Sequence, residues 1–397
     1  MKDKKFSLRV VAVLVLVGFL GVAFVIAIGG SILSRKVDEN FNRISGTKKS
    51  TSARALALHK KLTIVDLHAD SLLWNRDLLV RNDRGHVDVP RLIEGNVAVQ
   101  VFTIVTKVPE GMNIKSNTAD SDKITALAIG QGWPPATYNS LVGRTLYQAD
   151  KLQRVADASS GKLTVIRSVQ DLDKYLERRK QDSKVTAGIL GIEGAHAMEG
   201  KVANLDVFYD HGIRLIGLSH FFDNEMAGSA HGVKKYGLTD DGKKLVVLMQ
   251  QKSMIVDLAH ASHAVIKDVL AIAEKPVVVS HTGVKGTCNN ERNLTDSEIL
   301  GVAKTGGVVG IGYWKTATCG CDVGSIVKAI SYVVKLAGID HVALGSDYDG
   351  AVTVPFDTAR VSLITDELLK QGFSNADIEK IMGGNALRVL RHSLPEK

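Results

Sequence analysis

Eight short apolar runs, spread from residue 62 onward and separated by amphipathic stretches, constrain this chain more than any other feature. They are Leu62–Leu67, Val97–Val105, Thr186–Ile192 and Ile213–Ser219, then Ser253–Ala259, Pro276–Ser280, Gly306–Gly312 and His341–Ser346. Runs that are apolar at nearly every residue suit strands buried on both faces, the condition of a parallel sheet. Helix-period stretches such as Val169–Lys180, Lys243–Lys252, Ala264–Glu274, Asp296–Lys304 and Ser325–Ala337 fall between them. This alternation predicts an α/β fold of the (β/α)8, TIM-like barrel type. A chain of 397 residues, 45% of them hydrophobic, has enough apolar material for the core of one such barrel.

Six of the eight runs finish in a residue able to ligate a metal or move a proton. The first ends in His68-Ala-Asp70, the third in Glu193 with His196 just beyond, and the fourth in His220. The fifth ends in His260, the sixth in His281 and the eighth in Asp347-Tyr-Asp349. Strand C-termini in a barrel all face one mouth, where active sites of this fold are built. A single histidine after an apolar run is ordinarily a hydrogen-bonded structural residue. That reading is kept for His59, His86, His211, His231, His263, His341 and His392. It does not explain why the same polar types end six runs in register.

Imidazole and carboxylate without thiolate suit zinc or a similar divalent metal in an open catalytic site. His68 and Asp70 are two residues apart on one extended strand end, so both side chains fall on one face. His68, Asp70, His260 and His281 are generous for one catalytic metal and lean for two, and Glu193 as a shared carboxylate makes up the shortage. Two metals so bridged hold a hydroxide at neutral pH. Asp347 is the candidate general base that takes its proton and passes it to the leaving group.

The net charge of +8 raises the question of nucleic acid. Residues 1–61 carry twelve Lys/Arg against three Asp/Glu, a net of +9, which leaves the other 336 with 38 basic against 39 acidic, a net of −1. A nucleic-acid-binding body needs its positive charge on the fold itself, so this class is set aside. Lys2, Lys4, Lys5 and Arg9 precede an uncharged stretch, Val10–Ser34, which Arg35 and Lys36 close. Its apolar centre, Val10–Ile28, approaches the roughly 20 residues that span a bilayer. Residues 1–36 are therefore expected to form a transmembrane anchor or signal segment, 37–61 a polar linker and 62–397 the barrel domain. Basic residues at the extreme N-terminus favour a cytoplasmic start, placing the catalytic domain outside the inner membrane, in the periplasm or an equivalent extracytoplasmic space. A small-x-small sequence at Ala27–Gly29 leaves cleavage open. Of the three cysteines, Cys288 can pair with Cys319 or Cys321 in an oxidising compartment, leaving one thiol free, and three unpaired thiols are the alternative.

Taken together, His68-Ala-Asp70, Gly191-Ile-Glu-Gly-Ala-His196, Ser-His at His220, Asp-Leu-Ala-His at His260 and Ser-His at His281 resemble the membrane (renal) dipeptidase family. Glu-Arg-Asn at Arg292, Gly345–Gly350 (GSDYDG) and Gly383–Leu390 (GGNALRVL) continue the resemblance, which spans roughly residues 62–392. It implies a binuclear zinc site in which His68 and Asp70 hold one ion, His260 and His281 the other, and Glu193 bridges. It also implies that His220 binds the polarised carbonyl oxygen, that Asp347 handles the proton and that Arg292 grips the substrate's C-terminal carboxylate. Cys288 falls where the family has a disulfide cysteine. The implied activity is metal-dependent hydrolysis of dipeptides, with a D-residue tolerated at the second position. A related amidohydrolase acting on N-acyl amino acids or lactones, and a non-catalytic membrane-tethered binding protein, are the alternatives. Expected partners are the dipeptide and the membrane, with a homodimer admitted as an assembly. The N-terminal apolar segment departs from relatives with a C-terminal lipid anchor. The stretch 111–147 reads as an insertion near the mouth.

Overall fold

Two of the apolar runs, Val97–Val105 (β2) and Thr186–Glu193 (β4), are buried at every residue and pair in parallel over seven consecutive residues. A computed structural model of the protein describes residues 29–30, 32–47 and 49–397. The remaining strands are β1 (Ile64–Ala69), β3 (Leu163–Val165), β5 (Ile213–Gly217), β6 (Ile255–Asp257), β7 (Val278–Thr282), β8 (Val308–Ile311) and β9 (Val342–Leu344). The ring runs β1-β2-β4-β5-β6-β7-β8-β9 and returns to β1, parallel throughout. This is the eight-stranded barrel expected from the runs. The ninth strand, β3, pairs with Thr186–Gly188 of β4, below the point where β5 joins at Leu190. Its three residues are too few to carry a periodic signal.

Local chemistry sets where the helices begin. Ser168, Thr295 and Asp322 each accept a backbone N–H from the first turn of Val169–Gln181, Asp296–Lys304 and Val323–Ala337, and Glu298 returns the bond to complete a capping box. The closing helix Asn385–Ser393 packs Ala386, Leu387, Val389 and Leu390 into the cluster that holds Val65, Val99, Ile255 and Val308. Asn385 donates to the carbonyl of Val342 at the start of β9. Gly383 lies so close to β1 that a Cβ would sit 1.9 Å from the Thr63 carbonyl oxygen. This helix therefore closes the end of the barrel opposite the strand C-termini.

Residues 37–61, expected as a linker, carry helical turns and specific contacts to the barrel. Residues 32–41 are helical, Ile44 bridges to Val354, and the helix Ala53–His59 packs on Ser362–Lys370. His59 bonds Thr365 through Nδ1 and the Gly95 carbonyl through Nε2. The polar residues that suggested solvation have partners on the barrel instead. Asp38 is buried, 3.2 Å from Arg76 Nε, and Arg76 Nη2 lies 2.7 Å from Asp349. Among the described residues no helix is long and apolar enough to cross a membrane; the expected anchor, Val10–Ile28, lies outside them.

Asp349 also accepts from the Ser71 hydroxyl and the His86 N–H. Burial opposes its charge, but Arg76 and His86 outweigh burial and hold it down to about 2. A depressed carboxylate contributes stability above its unfolded value near 4, lost as pH falls through about 2. Asp349→Asn is expected to cost about 3 kcal/mol or more at neutral pH, because it leaves the buried Arg76 short of a counter-charge. In urea unfolding, the gap between wild type and variant should close between about pH 4 and pH 2.

Candidate metal centre and active site

The strand ends converge as a barrel requires. His68 lies in β1 with Asp70 just beyond it, Glu193 ends β4 and His281 lies in β7. His220, His260 and Asp347 sit on the turns that follow β5, β6 and β9. Glu193 Oε1 is 3.1 Å from Nε2 of His260, 3.3 Å from that of His281 and 3.5 Å from that of His68. Its other oxygen is 3.1 Å from His220 Nε2. His68 Nε2 is also 3.4 Å from Asp70 Oδ1, and the Nε2 atoms of His260 and His281 approach to 2.9 Å. Asp347 joins His68 and Asp70 in a group whose ligand atoms lie within 4.8 Å of one another. All seven residues are buried.

This donor set fits divalent metal. His68 Nε2 is buried and makes no hydrogen bond while facing two carboxylates. Burial pushes Glu193 well above the usual carboxylate range, and neighbouring Asp70 adds to the shift. Asp347 is raised to about 8, first by burial, with His68 working against it. Burial disfavours a charged His68, yet Asp70 and Glu193 outweigh it and lift that imidazole to about 10. Clustered buried carboxylates call for positive charge, which a divalent cation supplies. Burial holds His220, His260 and His281 well below their usual value, and the neutral imidazole is the form that ligates.

One hydroxyl orients two of these rings. Ser280 Oγ donates to Asp257 Oδ2 at 2.6 Å, and Ser280 N–H donates to Asp257 Oδ1 at 2.8 Å. A serine hydroxyl has one proton and two lone pairs. With the proton committed to Asp257, the lone pairs receive Nδ1–H of His68 and Nδ1–H of His281, each at 3.0 Å. Both rings then direct Nε2 to the centre, the atom through which a neutral imidazole would ligate. Backbone strain collects here as well: His260 and Asp347 have φ of 61° and 60°, unusual for residues with a Cβ. Gly194 has φ 96°, and a Cβ there would lie 2.4 Å from the His196 ring.

Arg292 lines the cavity above these groups, donates from Nη2 to the His281 carbonyl at 2.7 Å and has no partner for Nε. Burial pulls its guanidinium down to about 10. Two residues of the strand-end pattern stand apart. Asp349 belongs to the Arg76 network, and His196 stacks on His220 at 6.3 Å with both nitrogens unbonded. His231, read from the sequence as structural, lines the cavity with its ring centre 5.1 Å from that of His260. Its Nδ1 bonds the Ile114 carbonyl. It sits in a loop well past β5, so no run end marks it. Thr103, which donates to Asp70 Oδ1, was hidden inside an apolar strand. Cys288 pairs with Cys319 and leaves Cys321 free, tying the loop that carries Arg292 to the one that carries Trp314. The 111–147 stretch supplies Met112, Ile114, Ile124 and Leu127 to the cavity wall.

Replacing Ser280 with Ala removes the shared acceptor while leaving the Nε2 donors in place. Metal affinity, read by competition with a chromophoric chelator, is expected to fall roughly 10- to 100-fold. Unchanged affinity would show that the hydroxyl does not set the two rings.

A family model described as "Membrane dipeptidase (Peptidase family M19)" matches residues 52–394. Dipeptidase tcpJ of Claviceps purpurea is 28% identical over 316 residues, covering 77% of this chain and 69% of its own. Among solved structures, the probable dipeptidase PvdM of Pseudomonas aeruginosa superposes with a TM-score of 0.71 at 20% identity, covering 86% of this chain and 98% of its own. A Rhodobacter sphaeroides metallopeptidase, liganded with a phosphinate mimic of L-Ala-D-Ala, gives 0.70 at 21% identity, with coverages of 84% and 99%. With the match running through nearly all of the barrel, this chain belongs to the membrane dipeptidase family, M19.

Proposed function

We propose that the protein is a dipeptidase that works with two divalent ions, zinc foremost, and tolerates a D-residue at the C-terminal position. The observation that carries this reading is the convergence of three imidazoles on one oxygen of Glu193, with Asp70, Asp347 and Arg292 around the same cavity floor. His68 and Asp70 would hold one ion and His260 and His281 the other, with Glu193 within reach of both sets. Bound there, the ions would supply Lewis acidity and lower the pKa of water.

The chain's own residues do the rest. The Arg292 guanidinium, a planar fork suited to a carboxylate, takes the substrate's C-terminus. His220 faces the scissile carbonyl oxygen. Asp347 accepts the proton from attacking water and delivers it to the leaving nitrogen, so the C–N bond breaks and two amino acids leave. The stereochemical tolerance draws support from the L-Ala-D-Ala mimic held by the Rhodobacter sphaeroides neighbour. The uncharged stretch Val10–Ile28, with basic residues on both flanks, supports an N-terminal anchor in the inner membrane and a catalytic domain outside it.

Purified protein loaded with zinc is expected to cleave L,L- and L,D-dipeptides, lose activity to a chelator and regain it on zinc addition. Failure to cleave any dipeptide would overturn the reading. Asp347→Asn is expected to lower kcat by roughly 100-fold or more with metal content by mass spectrometry unchanged. Full activity in that variant would remove Asp347 from proton transfer. On fractionation the full chain should sediment with membranes carrying an intact N-terminus.

A further inference from the structure

The walls of the cavity, about 460 Å³ in volume, differ across the barrel. On one side stand Arg292 after β7, His260 after β6 and Trp314 after β8. On the opposite side of the ring, Leu73 and Trp74 follow β1, and Val105 and Ile124 end or follow β2. These four form an apolar cluster, and Val37 packs on it. Val37 and Phe41 both line the cavity, yet both precede residues 52–394, which match the family.

Their placement is built in. The helical segment 32–41 buries Ser34 and Asp38, and Asn42 just after it, one turn apart along one face. Asp38 meets Arg76 at 3.2 Å and Arg84 at 3.0 Å, and Asn42 accepts from the Ala351 N–H at 2.9 Å. Contacts at both ends of the segment fix its rotation. Val37 and Phe41, four residues apart, therefore share the adjacent face, toward the cavity.

We propose that Val37 and Phe41 complete an apolar subsite for the side chain N-terminal to the scissile bond, making the protein selective for dipeptides that begin with a large aliphatic or aromatic residue. This rests on the dipeptidase reading. With the C-terminal carboxylate at Arg292 and the scissile carbonyl over the metal ligands, the first residue's side chain meets the β1–β2 wall. That wall offers apolar surface, which rewards each added methylene of the substrate.

The test uses the full-length chain in detergent, loaded with zinc, and compares kcat/KM for Leu-Ala, Phe-Ala and Gly-Ala. The ratio of Leu-Ala to Gly-Ala is expected to exceed tenfold and to fall by roughly that factor in Phe41→Ala. Phe41→Leu should keep most of the preference. Phe41 is 49% exposed, so its truncation leaves the fold intact, and Val37→Ala provides a second, independent reduction. Turnover without a preference for Leu or Phe, or a preference unchanged in both Ala variants, would overturn the subsite. Calorimetric binding of phosphinate mimics bearing Leu or Gly at the first position separates the two readings. Tighter binding of the Leu mimic, lost in Phe41→Ala, with no turnover of any dipeptide, would keep the subsite and remove the peptidase. Equal binding of the two mimics would remove the subsite whatever the turnover.

Discussion

Closure of the barrel depends on the pairing of β2 with β4, seven residues in unbroken register that ends with Val105 opposite Glu193. Side chains alternate across a strand, so a slip of one residue would turn Glu193 away from the mouth and into the helical layer. The same pairing that completes the ring therefore sets the carboxylate around which His68, His260 and His281 gather. Structural closure and chemistry share one register, and neither changes without the other.

Burying so many charges in one place has an electrostatic cost that the surrounding groups divide among themselves. Asp257, through the single hydroxyl of Ser280, holds two rings in one tautomer. Arg76 takes the opposite role, lying between Asp38 and Asp349, with Arg84 as a second partner of Asp38. Because Asp349 lies two residues past Asp347, this ion network ties the N-terminal helical segment to the turn that carries Asp347. Left-handed backbone at Asp347 and Asp349 (φ 60° and 63°) is tolerated there because hydrogen bonds and ion pairs hold the turn from several sides.

Much of this was legible in the sequence for a specific reason. Strands buried on both faces must be apolar throughout, so the eight runs were visible, and a polar residue ending a run stood out against them. His68, Glu193, His220, His260, His281 and Asp347 were marked in that way. Residues without such a background were not. His231 sits in a long loop, Thr103 lies inside a strand as a short polar residue, and β3 spans only three residues. The polar composition of 37–61 concealed its packing, because composition reports solubility in water and not whether a carboxylate such as Asp38 finds an arginine.

The sequence by itself determined the barrel class, the strand ends that face its mouth and the types of donor gathered there, since periodicity and residue chemistry are local properties. Tertiary structure alone decided that Asp349 turns to Arg76 rather than to the histidine cluster around Glu193, and that Cys288 takes Cys319 rather than Cys321. It alone brought Val37 and Phe41 over the cavity. Each of those outcomes depends on distances between elements far apart in the chain, and no local pattern encodes such distances.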